Sequence, residues 1–182
     1  MLRLPSLLLL CLMTSVAFGQ RGAASCAAGV LPKSVAERLK SQFPEWRIRT
    51  TGDLEPYDRQ WWIENKPDTC PGIASGRFLR PDARAVAVLL VPKAPDAKGF
   101  MVLVFDPSDM QRGPAPIVVE RVKDQSPAAV VIFRVPPGVY RDPDRTRRVR
   151  IVLDGIEVVR MEASGTLYFW RRDHFEDLIT SY

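Results

Sequence analysis

Ala85-Val86-Ala87-Val88-Leu89-Leu90-Val91 is an uninterrupted apolar run, and Phe100-Met101-Val102-Leu103-Val104-Phe105 is a second. A strand with one face in water alternates apolar and polar residues, whereas a strand without alternation is covered on both faces. Their valine content and the bounding Pro92 and Gly99 mark both runs as strands. Neither approaches the ~18 residues that a helical membrane span requires. The two runs therefore predict central strands of a buried sheet.

Around them the pattern is one of short strands and turns. Trp46 to Thr50 alternates with period two, and Gln60-Trp61-Trp62-Ile63 reads as a short aromatic strand. Further strands are expected over Ile73 to Leu79, Ile117 to Val122 and Ala129 to Val135, the last broken by Pro136-Pro137-Gly138. Arg148 to Leu153 and Ile156 to Met161 flank Asp154-Gly155, the strongest short hairpin signal in the chain. Thr166 to Trp170 and Phe175 to Ile179 form a last pair around Arg172-Asp173. One helix stands out: Val35, Leu39 and Phe43 recur every four residues among Lys33, Glu37, Arg38 and Lys40, and Pro44 closes it. Such a stripe must be buried, and a sheet face is the available partner. The expected fold is α+β, mostly β: an antiparallel sheet of about nine or ten short strands with one N-terminal amphipathic helix packed on it. No internal repeat and no long linker interrupts residues 31–182, which read as a single globular domain.

Met1 to Gly19 reads as a cleavable secretory signal: Arg3, then Leu7 to Met13, then small residues around Ala17-Phe18-Gly19. Residues 20–30 read as a flexible lead. The expected address is periplasmic or secreted, and the mature chain has no second apolar run long enough to span a bilayer. In an oxidising compartment the two remaining cysteines, Cys26 and Cys70, predict one disulfide; two buried thiols are the alternative, and their spacing excludes a redox CxxC pair. The formal charge of +5 includes Arg3 of the leader, and so mild an excess does not demand a nucleic-acid partner.

Gly76-Arg77-Phe78-Leu79-Arg80-Pro81-Asp82 followed by Ala85 to Leu89 resembles, in outline, the strand-loop-strand unit of FG-GAP-type hairpins. In that family, carboxylates of the loop bind calcium. Calcium takes six to eight oxygen ligands, and this loop offers Asp82 alone among Arg77, Arg80 and Arg84. The wider layout, with Pro44-x-Trp46, Cys70-Pro71-Gly72 and Tyr168-x-Trp170, resembles uncharacterised bacterial exported proteins. The resemblance implies a fold and an address rather than an activity.

Two groups of residues are candidates for binding. Arg147, Arg148 and Arg150 belong to a basic stretch that begins at Arg141; on an extended segment Arg148 and Arg150 share one face and Arg147 lies opposite. Guanidinium groups pair with phosphate and sulfate, so an envelope polyanion such as lipopolysaccharide would suit them. The bland reading is a solvated edge strand neutralised by Asp142, Asp144 and Asp154. The second group is Trp61 and Trp62, near Trp46 and Tyr57: in a strand they point to opposite faces, so one would be partly exposed and able to stack on a sugar or anchor a protein. The bland reading packs both.

Chemistry is sparse. His174 is the only histidine and follows Asp173 in a turn; with the cysteines paired, no metal set remains. Ser75 in Gly72-Ile73-Ala74-Ser75-Gly76 is one place off a nucleophile elbow, no phosphate-binding glycine loop or other cofactor motif occurs, and Glu176 and Asp177 alternate faces. The sequence thus favours a non-enzymatic, monomeric binding or envelope-associated accessory protein whose partner is an envelope protein, a glycan or an anionic polymer. The alternatives are a polyanion binder acting through the Arg-rich strand and a glycan hydrolase using carboxylates among Asp53, Glu55, Asp58 and Glu64 beside the tryptophans.

Overall fold

The computed structural model describes residues 26, 31–108 and 115–181. The signal reading of residues 1–19 and most of the 20–30 lead lie outside the described residues. In chain order the elements are α1 (Lys33–Gln42), β1 (Trp46–Ile48), a 3-10 turn (Thr51–Asp53), α2 (Pro56–Asn65), β2 (Ile73–Arg80), β3 (Ala83–Pro92), β4 (Phe100–Phe105), β5 (Ile117–Val122), β6 (Val130–Val135), β7 (Gly138–Arg141), β8 (Arg148–Ile151), β9 (Gly155–Arg160), β10 (Ser164–Arg171) and β11 (His174–Ser181). The protein is mostly β, and its sheets are antiparallel.

The strands form two sheets and a ribbon. In the first sheet β3 is flanked on one side by β4 and then β5, while its other side is shared by β2, with Ala74 opposite Ala87, and by β1, with Arg47 opposite Val91. The second sheet runs β11-β10-β9-β6, and β7 and β8 pair as a two-stranded ribbon. The inner face of the first sheet (Phe78, Ala87, Leu89, Val102, Val104) packs on Val130, Ile132, Ile156 and Val158 of the second. Its outer face (Val86, Val88, Leu90, Met101, Leu103, Phe105) is covered by Leu31, Val35 and Leu39. This double covering is why the β3 and β4 sequences never alternate. The far face of the second sheet is capped by Leu54 and Trp62 over Val131, and by Val149 and Ile151 of the ribbon over Leu167, Phe169 and Leu178.

Several expectations are corrected. There are two α-helices among the described residues, and Gln60-Trp61-Trp62-Ile63 lies in the second, not in a strand. Pro56 occupies the first turn, where its missing N–H costs nothing, and Asp58 lies near the positive end of the helix dipole. Asp58 and Trp62, four apart, form its buried face. Asp154-Gly155 is not a hairpin turn: β8 pairs back with β7, and β9 pairs with β6 and β10. Asp154 is buried; its carboxylate accepts the Arg77 backbone N–H at 2.7 Å and lies 3.6 Å from the Arg134 guanidinium, pinning the β8–β9 passage to β2. Gly155 has no positive φ. A Cβ there would lie 3.1 Å from the Tyr168 carbonyl oxygen and intrude on Leu167, so close approach explains the glycine. Finally, Gly138–Arg141 is a strand, β7, beyond the Pro136-Pro137 break. The β10–β11 connection does fall at Arg172-Asp173, both left-handed with φ of 49° and 70°, and the β2–β3 hairpin turns at Pro81-Asp82, between Arg80 and its partner Ala83.

Cys26 and Cys70 form a disulfide, with Cα atoms 4.9 Å apart. Two residues later the chain presses against Arg49, where a Cβ on Gly72 would lie 2.9 Å from the Arg49 backbone nitrogen and overlap its carbonyl oxygen.

Candidate functional site

A recess lies where α1 meets the edge of the first sheet. β1 is three residues long, and its alternation sends Trp46 and Ile48 toward α1. α1 ends at Gln42 with Phe43 as its C-cap, and Pro44 prevents its continuation, so a short helix over a short edge strand leaves the sheet partly uncovered. The resulting groove, about 480 Å³, is floored by Leu31, Ala36, Leu39, Phe43, Trp46, Ile48 and Leu90. Lys40, Arg47 and Lys93 stand at it. A second recess, about 400 Å³, shares Phe43 and Trp46 and adds Met101 with Lys98, Arg121 and Lys123. Among the described residues no carboxylate lines either recess. Of these six cations, only Arg47 has an ion-pair partner among the described residues: Asp53, at 2.6 Å. All six side chains are exposed, whereas Phe43, Trp46 and Ile48 are half-buried.

On the opposite side of β1 a smaller cleft, about 220 Å³, contains Arg47, Arg49, Asp53 and the 126–128 segment. Arg49 is buried and its guanidinium donates to the Ala128 carbonyl, while its Nε has no hydrogen-bond partner among the described residues. Burial lowers its pKa. Burial would raise that of Asp53, but hydrogen bonds from Arg47 and from the Thr50 backbone and hydroxyl outweigh it and hold the carboxyl below its ordinary value. Asp53 is thus engaged at the start of the 3-10 turn.

The residues singled out from sequence fall apart in space. Trp62 is 1% exposed, and its Nε1 donates to the Thr69 carbonyl at 3.1 Å, so as a surface contact it is corrected: it is core. Trp61 is 38% exposed and, with Tyr57 at 70%, forms an outward stripe four residues apart on α2. Arg147 is tied to β11, donating to the Asp177 carbonyl at 2.7 Å and lying 3.8 Å from Glu176. Arg148 and Arg150 share the exposed face of the ribbon, with Val149 and Ile151 beneath. Arg148 stands directly opposite Arg141. Like charges in that position repel, and no carboxylate among the described residues pairs with Arg141, Arg148 or Arg150. Asp154, read from sequence as a counter-charge, belongs instead to Arg77 and Arg134.

Asp58 is buried and Glu64 accepts from Gln60 at 2.5 Å, while Glu55 stands exposed at the start of α2. Glu120 on β5 lies 3.5 Å from Arg160, which also sits over the Phe100 ring at 5.6 Å. Burial pushes the Glu120 carboxyl up, against the pull of Arg160 and of a hydrogen bond from Tyr168. Burial and the same carboxylate push Tyr168 up. His174 is exposed with Nδ1 3.1 Å from the Arg172 carbonyl. No cluster of three or more His, Cys, Asp or Glu could hold a metal among the described residues. The groove went unseen in the sequence because its walls come from Leu31, from 36–48, from Leu90 and Lys93 and, in the adjoining recess, from 98–123; only the Lys40 and Phe43 pattern hinted at it.

The described residues thus form a mostly β, two-sheet arrangement with an apolar, cation-rimmed groove. The chain matches no family model, and no curated protein or solved structure matches it.

Proposed function

We propose that the chain is an exported, non-enzymatic binding protein of the cell envelope. The observation that carries this reading is the lining of two adjoining recesses: half-buried apolar side chains stand beside cations of which only Arg47 is ion-paired among the described residues, and no described carboxylate lines them. Such surfaces hold ligands, and their described lining offers no carboxylate pair of the kind a glycan hydrolase uses. The acids that a hydrolase would use are held elsewhere, Asp53 by Arg47 and Thr50 and Asp58 in the buried face of α2. The Cys26–Cys70 disulfide supports an oxidising compartment, as does the leader-like Met1 to Gly19. The experiment is incubation of the protein with purified envelope glycan, followed by product analysis, beside capture of envelope components on immobilised protein. Retention of a component without any glycan cleavage is expected. Cleavage that disappears in Asp58→Asn or Glu64→Gln protein would restore the hydrolase.

One observation favours a second, polyanion-binding surface. Arg141 and Arg148 face each other beside Arg150, with no carboxylate among the described residues paired to any of the three, and a bound phosphate or sulfate polymer would relieve that repulsion. Retention on heparin should weaken steeply with salt. Equal retention of an Arg148→Glu, Arg150→Glu double variant would remove this surface.

A further inference from the structure

We infer that the groove between α1 and β1 holds a single-chain anionic lipid, its alkyl chain on Leu39, Phe43 and Trp46 and its headgroup among Lys93, Lys98 and Lys123. This rests on the binding reading and names its ligand.

At about 480 Å³ the groove falls within the range of small-molecule sites, roughly 300 to 1,000 Å³. Its floor is aliphatic and aromatic, so an alkyl chain laid there leaves water without stranding a polar group. The adjoining recess begins at the same Phe43 and Trp46 and ends in Lys98, Arg121 and Lys123. A ligand leaving the floor therefore meets cations within one molecular length. The acids nearest these cations along the chain, Glu37, Glu45, Asp96 and Asp124, line neither recess, and among the described residues none of them forms an ion pair with Lys93, Lys98 or Lys123. A neutral lipid would leave the cations unused. A hydrophilic polyanion would leave the apolar floor uncovered. A second copy of the chain, docked by a two-fold axis on this face, would set the same cations against each other.

The test uses decanoate as the probe, with decan-1-ol and butyrate as its uncharged and chainless counterparts, read by displacement of 1-anilinonaphthalene-8-sulfonate and by calorimetry. Decanoate should bind at least tenfold more tightly than either. Ala36→Phe, which fills the floor, should weaken decanoate at least tenfold. Lys93→Glu with Lys98→Glu, which alters only exposed side chains, should bring decanoate down to the level of decanol, so the rim is tested even if Ala36→Phe fails to fold. Arg148→Glu with Arg150→Glu, on the distant ribbon, should change nothing. No decanoate binding, equal affinity for decanol, or indifference to both groove variants overturns the inference. Self-association abolished by Ala36→Phe would also overturn it, giving the groove to a second copy. Failure with decanoate removes only the lipid, whereas glycan cleavage removes the binding reading beneath it.

Discussion

Gly72 has no room for a side chain because the Arg49 backbone occupies the space where a Cβ would stand. Backbone cannot swing aside as a flexible side chain can, so Gly72→Ala should cost about 1–3 kcal/mol in urea denaturation, as overpacking does. The buried carboxyl of Glu120 gives a different signature. Its folded pKa is raised above the ordinary 4.5 by burial. The proton-bound form is thus favoured by folding: the contribution to stability is complete below 4.5 and is lost as pH rises through the folded value. Urea midpoints measured from pH 4 upward should fall across that window in the parent protein. Glu120→Gln should flatten the fall; an unchanged slope would assign it to another group. Asp53 works in the opposite sense, since its folded pKa lies below 3.8, and its contribution is lost only as acid drives the pH beneath that value.

At the scale of elements, α2 separates what pattern can teach from what packing decides. Adjacent tryptophans and an isoleucine carry strand propensity, and that preference misread Gln60 to Ile63. The helix signals were present in Pro56 and in the four-residue spacing of Asp58 and Trp62, but a single turn of amphipathic pattern is weak until the second sheet supplies a surface to cover. Truncation measures the difference. Trp62→Ala should cost about 3–5 kcal/mol, as buried aromatic deletions do, while Trp61→Ala should stay within about 0.5 kcal/mol. A large loss from Trp61 would place it in the core and end its candidacy as a contact. Asp154-Gly155 makes the same point from the other side: the dipeptide is a strong turn signal, yet Asp154 serves a long-range contact to Arg77 and Gly155 a steric one to Tyr168, and neither partner is visible locally. By contrast β3, β4 and the β10–β11 turn were legible because their cues are local: continuous apolar runs and a short polar break.

For the whole molecule, the pairing of Cys26 with Cys70 was legible because only two cysteines remain outside the leader-like segment. The groove was not, since no periodicity joins residues as far apart as Leu31 and Lys123. The bridge spans a sequence separation of 44 and should stabilise the protein by about 4 kcal/mol through chain entropy. Cys26→Ser with Cys70→Ser should lower the denaturation free energy by that order, and an unchanged value would show that the unfolded chain is not restrained by it. The division of strands also has a temporal consequence. Every strand of the first sheet precedes residue 123 and every strand of the second follows residue 129. During synthesis the first half emerges with both cysteines and α1, so one flank of β3 and β4 can be sealed at once. The other flank stays bare until β6 and β9 arrive, and α2 waits for the opposite face of that same second sheet. A ribosome stalled between the two halves would therefore display a half-built sandwich, and that interval is when a holding chaperone would have most to grip.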